Sequence, residues 1–286
     1  MRYLIILAIF TSLKTAGQPI ILRGYIKNLK GDNLPFTSIS FTNKFGGTVA
    51  DENGAFEIVI SQGDTLKFSN IGYRDTTISF TELKYISTIK LQQKVSILET
   101  VSVTNIDVTK FNKEKKVGIE SKKTKNLFKS KPGFCVVVKM DNELHTIGII
   151  KDIRIAVSKK QFNKPQIRLR IFSINKITGL PEDDLLVNNI VLTINKPHPL
   201  VNLEQYKIFF PTDGCFVGFE WLNDAEKVKS KYTEGLVEPI LELTEEIKEI
   251  KTYARYLSNS WSAWKFSPIS QKGPQNAIIQ ITFKHK

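Results

Sequence analysis

Short apolar runs alternate with polar residues through the first third of the chain, and turn residues interrupt them every eight to twelve positions. Ile20–Ile26 reads as a first strand, closed by the turn residues Lys30-Gly31-Asp32-Asn33. Phe36–Phe41 alternates, and further strands are expected near Ala55–Ile60, Thr65–Ser69, Asp75–Phe80, Thr88–Leu91 and Thr100–Thr104. Many short strands with regular turn signals predict a β-sandwich, and roughly 85 residues suffice for one small core.

From Phe134 onward the pattern is again β. Candidate strands are Phe134–Met140, Ile147–Val157, Gln166–Ile174, Ile190–Ile194, Tyr206–Phe210, Cys215–Trp221 and Ala277–Phe283. Gln166–Ile174 alternates strictly, with Ile167, Leu169 and Ile171 on one face and Arg168 and Arg170 on the other. These runs predict a second sandwich, jelly-roll-like. The stretch 236–256 supports two readings. Leu236, Ile240, Leu243, Ile247 and Ile250 form a helical stripe, provided Pro239 falls in the first turn. Thr252–Tyr256 followed by Trp261 and Trp264 instead suggests strand and turn.

Composition sets the class. The chain has 286 residues, 41% hydrophobic and 24% charged, values of a folded globular protein with room for two domains. Arg2, the apolar run Leu4–Phe10 and the small residues Thr15, Ala16 and Gly17 predict a signal peptide over residues 1–17, cleaved after Gly17. Seven apolar residues are too few for a membrane helix, which needs about 20. Export to the periplasm, the outer membrane or the medium is therefore expected, with no transmembrane segment in the mature chain.

The formal net charge is +13. Much of it sits in Thr109–Lys131, which holds nine Lys and two Glu. Residues 107–132 are expected to be a basic linker between domains 18–106 and 133–286. Such a segment is a solvated connector or an attraction for an anionic envelope surface. Nucleic acid is a poor partner for an exported chain, and only Phe111 and Phe128 interleave the lysines. The two cysteines, Cys135 and Cys215, either close one disulfide or remain buried thiols.

Leu22-Arg-Gly24, Leu34–Ile39, Gly47–Phe56 and Gly63–Tyr73 follow one another in a fixed order. That order resembles the carboxypeptidase-regulatory-like domain, a transthyretin-like β-sandwich. It is similar to the N-terminal extension of TonB-dependent outer-membrane receptors, and Leu98–Thr104 resembles that extension's last strand. The plug and barrel of those receptors do not fit in the residues that follow. No zinc-ligand His–Glu pair is visible, so the resemblance implies no peptidase activity. The second half, through Ile167–Ile171, Leu180–Leu186 and Phe216–Trp221, resembles a β-domain paired with this module in exported bacterial proteins, which implies architecture only.

The expected fold is thus all-β, with two sandwiches joined by a basic linker. Candidate chemistry is sparse. His145, His198 and His285 are dispersed, and no HExxH, GxSxG, Walker A or GxGxxG stands in the chain. Asp51, Asn53 and Gly54 look at first like a calcium loop. Their spacing instead marks a hairpin turn, and no metal or cofactor is expected. Tyr253, Tyr256, Trp261 and Trp264 are the candidate binding surface, for a glycan, a peptide or an envelope protein, unless they fill the second core. The chain therefore reads as an exported, non-enzymatic binding or scaffolding protein. The alternative is a hydrolase using Glu220 with Asp183 or Asp184.

Overall fold

A computed structural model describes residues 18–94, 108–124, 126–159, 164–222, 236–264 and 274–286. The signal peptide over residues 1–17 and the strand expected at Leu98–Thr104 lie outside the described residues.

The first domain contains β1 (Ile20–Asn28), β2 (Ser38–Phe41), β3 (Gly47–Val49), β4 (Ala55–Ile60), β5 (Thr65–Ser69) and β6 (Thr76–Ser79). A one-turn helix α1 (Phe80–Leu83) and β7 (Thr88–Leu91) complete it. Among the described residues these strands form two sheets, β4-β1-β7 and β3-β2-β5-β6, with β1 and β7 parallel. Alternation builds the core. In β4, Phe56, Ile58 and Ile60 point inward while Glu57 and Val59 face solvent. They meet Leu22 and Ile26 of β1 and Leu66 and Phe68 of β5 in one buried cluster.

The Asp51 turn is a backbone device. Asp51 Oδ1 accepts hydrogen bonds from the amides of Asn53 and Ala55, both at 2.8 Å. Gly54 sits at φ 73°, and a Cβ there would stand 2.8 Å from the carbonyl oxygen of Ile26. Only glycine adopts this conformation so close to a neighbouring strand without strain.

The second domain begins with β8 (Lys113–Gly118), β9 (Asn126–Ser130), β10 (Phe134–Met140), β11 (Gly148–Ile155) and β12 (Gln166–Ile174). There follow β13 (Pro181–Asp184), β14 (Val191–Thr193), β15 (Leu200–Asn202), β16 (Phe209–Phe210) and β17 (Cys215–Trp221). The last strands are β18 (Val237–Thr244), β19 (Thr252–Tyr256), β20 (Ser262–Ala263), β21 (Asn276–Ala277) and β22 (Ile279–His285). One sheet runs β13-β12-β17-β10-β19-β20, with β14 also on β12. A second runs β15-β11-β22-β8, with β16 on β11, and β21-β18-β9 forms a third. Inward residues of β10, β12, β17, β11, β22 and β18 share a single buried cluster, so the sheets pack as a sandwich.

One expectation is corrected and two open readings are decided. The Lys-rich segment expected as a linker is part of the second domain: β8 pairs with β22 and β9 with β18. Lys113, Lys115, Lys116 and Lys129 stand on the edge strands β8 and β9, where charge blocks pairing with a second chain. The helical stripe at 236–250 is not a helix, because Val237, Leu241 and Leu243 are buried on β18 against the sandwich core. The possible disulfide is absent: Cys135 and Cys215 are free and buried. They lie five register positions apart on the β10–β17 ladder, about 17 Å at ordinary strand rise and far beyond disulfide reach.

Candidate functional site

The outer face of the large sheet follows from the register of its four central strands. Inward positions on β12 are Ile167, Leu169 and Ile171, so Arg168, Arg170 and Phe172 point the other way. Arg168 stands opposite Glu220, Glu220 opposite Cys135, and Cys135 opposite Arg255. The next row reads Arg170, Gly218, Val137 and Tyr253. Charged residues thus cross a face that would ordinarily look onto solvent.

The first domain covers one end of that face. Arg168 Nη1 donates to the carbonyl oxygen of Phe36 at 2.5 Å, and Nη2 reaches Ser38 Oγ at 3.4 Å. Asn189 Nδ2 donates to Asn70 Oδ1 at 3.0 Å, and Asn70 in turn holds Pro35 and Thr37. Leu257 packs beside Gly47 and Val49, and the rings of Phe45 and Tyr256 meet at 5.2 Å. Close approach is also needed at Gly72, where a Cβ would lie 2.5 Å from the carbonyl oxygen of Val187.

Beneath this contact lies a buried ion network. Arg168 Nη2 and Arg170 Nη1 donate to the two oxygens of Glu220 at 2.6 and 2.5 Å. Arg170 also holds Asp184, through Nε at 3.0 Å and Nη2 at 2.9 Å. The side chains of Arg168 and Glu220 are only 1% and 2% exposed. Burial pushes the Glu220 carboxyl up, but Arg168 and then Arg170 more than reverse this and hold it below the usual carboxylate range. Burial lifts Asp184 above the ordinary aspartate value, against the pull of Arg170. Cys135, between Glu220 and Arg255, is pushed by burial to about 12 and stays a neutral thiol.

Beside the network the two domains leave a cleft of about 210 Å³. Ser69–Tyr73 and Lys94 of the first domain form one wall. The other is built from Arg170, Phe172, Asp184–Val187, Arg255 and Ser258.

The sequence-predicted residues fall into different places. Glu220 and Asp184 do converge, through their shared partner Arg170, while Asp183 is exposed and pairs with Lys94 at 3.4 Å. The four aromatics do not form one patch. Trp264 is buried in the sandwich core against Phe128 and Phe134, with ring centroids at 4.5 and 5.9 Å. Tyr253 packs edge-on against Phe216 and Trp261 edge-on against Phe172 at 5.0 Å, while the Tyr256 ring is tilted against Phe45. Sequence reading missed Arg255, Arg168, Asn189 and Asn70. The readable signal was a strand carrying two arginines and another of similar length carrying one glutamate among aromatics.

These features define a two-domain, all-β protein with a polar cleft between its sandwiches. Residues 22–103 match the family model of the CarboxypepD_reg-like domain, so the first sandwich is a domain of that family. Comparison of the chain with curated proteins yields no match. Among the described residues no helix is long and apolar enough to cross a membrane.

Proposed function

We propose that this is an exported, non-catalytic binding protein of the bacterial cell envelope, with the interdomain cleft as its recognition surface. The observation that carries this reading is the buried polar contact between the domains. Arg168 to Phe36 and Ser38, and Asn189 to Asn70, fix the first sandwich against the second. A recognition surface built from two domains needs its walls held in one geometry, and preorganisation of this kind lowers the entropic cost of binding. The CarboxypepD_reg-like module then serves as one wall of the site. A peptide, a glycan or an envelope protein would enter between the walls.

The test is a ligand panel of peptides and glycans screened by calorimetry against the chain, Tyr73→Ala, which alters the cleft lining, and Asn189→Ala, which loosens the contact between its walls. Loss of binding in both variants supports the cleft. Undiminished binding in both places recognition elsewhere and defeats the proposal.

A hydrolase using Glu220 with Asp183 or Asp184 is the second reading. Its support is that Asp184 lines the cleft and that burial shifts its carboxyl upward, the direction a general acid needs. Against it, both oxygens of Glu220 are bound by guanidiniums behind the wall. A carboxylate so held has little basicity to offer a water or a substrate. Turnover of chromogenic glycosides or peptides that disappears in Asp184→Asn would restore the catalytic reading.

A further inference from the structure

One cation of the cleft has no ion-pair partner among the described residues. Arg168 and Arg170 are matched by Glu220 and Asp184, Lys94 by Asp183, and Asp75 by Lys67 at 2.7 Å. Glu182 accepts from the Asn175 amide at 2.6 Å. Arg255 ends the Arg168–Glu220–Cys135 row, and its neighbour in that row is a neutral thiol. Its guanidinium lies over the Phe172 ring at 4.9 Å and the Trp261 ring at 4.5 Å. Its Nε is buried without a hydrogen-bond partner, and among the described residues no side chain forms an ion pair with it. Burial, with Arg170 close by, lowers its pKa to about 10, so it remains charged at neutral pH.

A guanidinium packed in the corner of two edge-to-face rings is fixed in position before any ligand arrives, and its fork geometry suits a carboxylate. A guanidinium with no ion-pair partner can take one carboxylate without displacing another. A phosphate monoester, carrying about −1.5 to −2 at pH 7, would leave surplus negative charge beside Asp183 and Asp184. The cleft is smaller than the roughly 300–1,000 Å³ that encloses a whole drug-sized ligand. It therefore takes the end of a larger molecule.

The cleft wall that carries Arg255 at one end favours an extended chain over a sugar. It includes β13, the edge strand of the large sheet, whose outward backbone can pair with a peptide. The Phe172 and Trp261 faces that would stack on a sugar ring are turned to Arg255.

We propose that Arg255 anchors the free C-terminal carboxylate of a peptide that enters the interdomain cleft along β13. This rests on the reading of the cleft as the recognition surface.

The test titrates four probes into the isotope-labelled full chain and follows amide shifts at the cleft. They are an N-acetylated tripeptide as its free acid, the same tripeptide as its amide, glucuronate and inorganic phosphate. The acid should bind roughly tenfold to hundredfold more tightly than the amide, the range expected for charge-assisted hydrogen bonds. Arg255→Gln should bring the acid down to the level of the amide and leave the amide unchanged. Arg255→Lys, which keeps the charge without the fork, should fall between them. If Arg255→Gln disturbs the fold, the acid–amide comparison on the unaltered chain still decides.

Equal binding of acid and amide, with shifts at Tyr73 and Leu185, overturns the carboxylate anchor and leaves the cleft as a recognition surface. Tighter binding of glucuronate or phosphate than of the peptide acid overturns the peptide class. No saturable shift at the cleft with any of the four overturns both proposals.

Discussion

Glu220→Gln tests the interdomain wall most directly. The substitution keeps the side chain's size and removes its charge, so the packing beside Cys135 and Gly218 is retained. Arg170 keeps Asp184 at 2.9 Å. Arg168 loses the carboxylate 2.6 Å away and is left with neutral partners at a position only 1% exposed. Removing one member of a buried pair costs about 3–5 kcal/mol, because the remaining charge stays desolvated. For a domain of about 150 residues each kcal/mol lowers the melting midpoint by roughly 2–4 °C, so the midpoint should drop by about 6–20 °C. Thermal and urea unfolding followed by tryptophan fluorescence measures the change. A loss below about 1 kcal/mol, the value of an exposed surface pair, would refute the reasoning. Acidification gives an independent arm. The folded Glu220 holds its proton less tightly than the unfolded side chain, whose value is 4.5. The unfolded state therefore binds more protons as pH falls, so the stabilisation is complete above about pH 4.5 and disappears through the lower folded value. The wild-type chain should lose stability more steeply than Glu220→Gln between about pH 5 and pH 3. Parallel curves would show that another group carries the acid sensitivity.

Cys135 and Cys215 should resist a thiol-reactive dye in the native chain and both react in denaturant, with mass unchanged by reductant, because burial keeps both protonated. A single disulfide by mass would contradict the register. Trp264→Ala should cost about 3–5 kcal/mol as a core truncation, read by urea unfolding, whereas Trp261→Ala, whose partly buried ring packs on the smaller cluster of Cys135, Val137, Phe172 and Phe216, should cost less. Equal stability losses in the two would place Trp261 in the core as well. Gly72→Ala puts a side chain at φ 81° and 2.5 Å from Val187, so it should cost at least about 1–2 kcal/mol and loosen the domain contact. Faster proteolysis between the domains checks that, and an unchanged digest would refute it. Replacing Lys113, Lys115 and Lys116 by Val should turn β8 into a pairing edge and give concentration-dependent oligomers by light scattering. A monomer at all concentrations would show that these charges do not protect it.

Alternation is a local property, and it read β4, β12 and β17 correctly because each strand's inward residues are apolar at period two. It does not say what lies against the other face. Arg168 and Glu220 have the polarity of solvent-facing residues, and only the strand order brings them opposite one another beneath a second domain. Composition misread β8 and β9 for a related reason. A lysine-rich run has the make-up of a linker, yet Val117, Leu127 and Ser130 take their places in paired strands. At 236–250 a 4-3-4-3 spacing competed with Pro239, and burial of Leu241 and Leu243 on β18 decided for the strand. The turn at Asp51–Gly54 was legible because its hydrogen bonds span only four residues.

The ion network also bears on why the domains meet as they do. Well-packed apolar residues in place of Arg168, Arg170, Glu220 and Asp184 would stabilise the fold about as well, since desolvation consumes most of the Coulombic gain. An apolar interface, however, tolerates sliding, because hydrophobic burial has no direction. Arg168 does not tolerate it: its fork must meet Glu220 on one side and the Phe36 carbonyl on the other. Phe36 sits at φ 57° as its carbonyl accepts that hydrogen bond. A small shift of the first domain breaks the contacts of Arg168 to Phe36 and Ser38, while Glu220 holds the guanidinium in place. The network therefore acts as a register pin, and the cleft beside it, with Arg255 on its wall, keeps one shape because the pin admits one docking position.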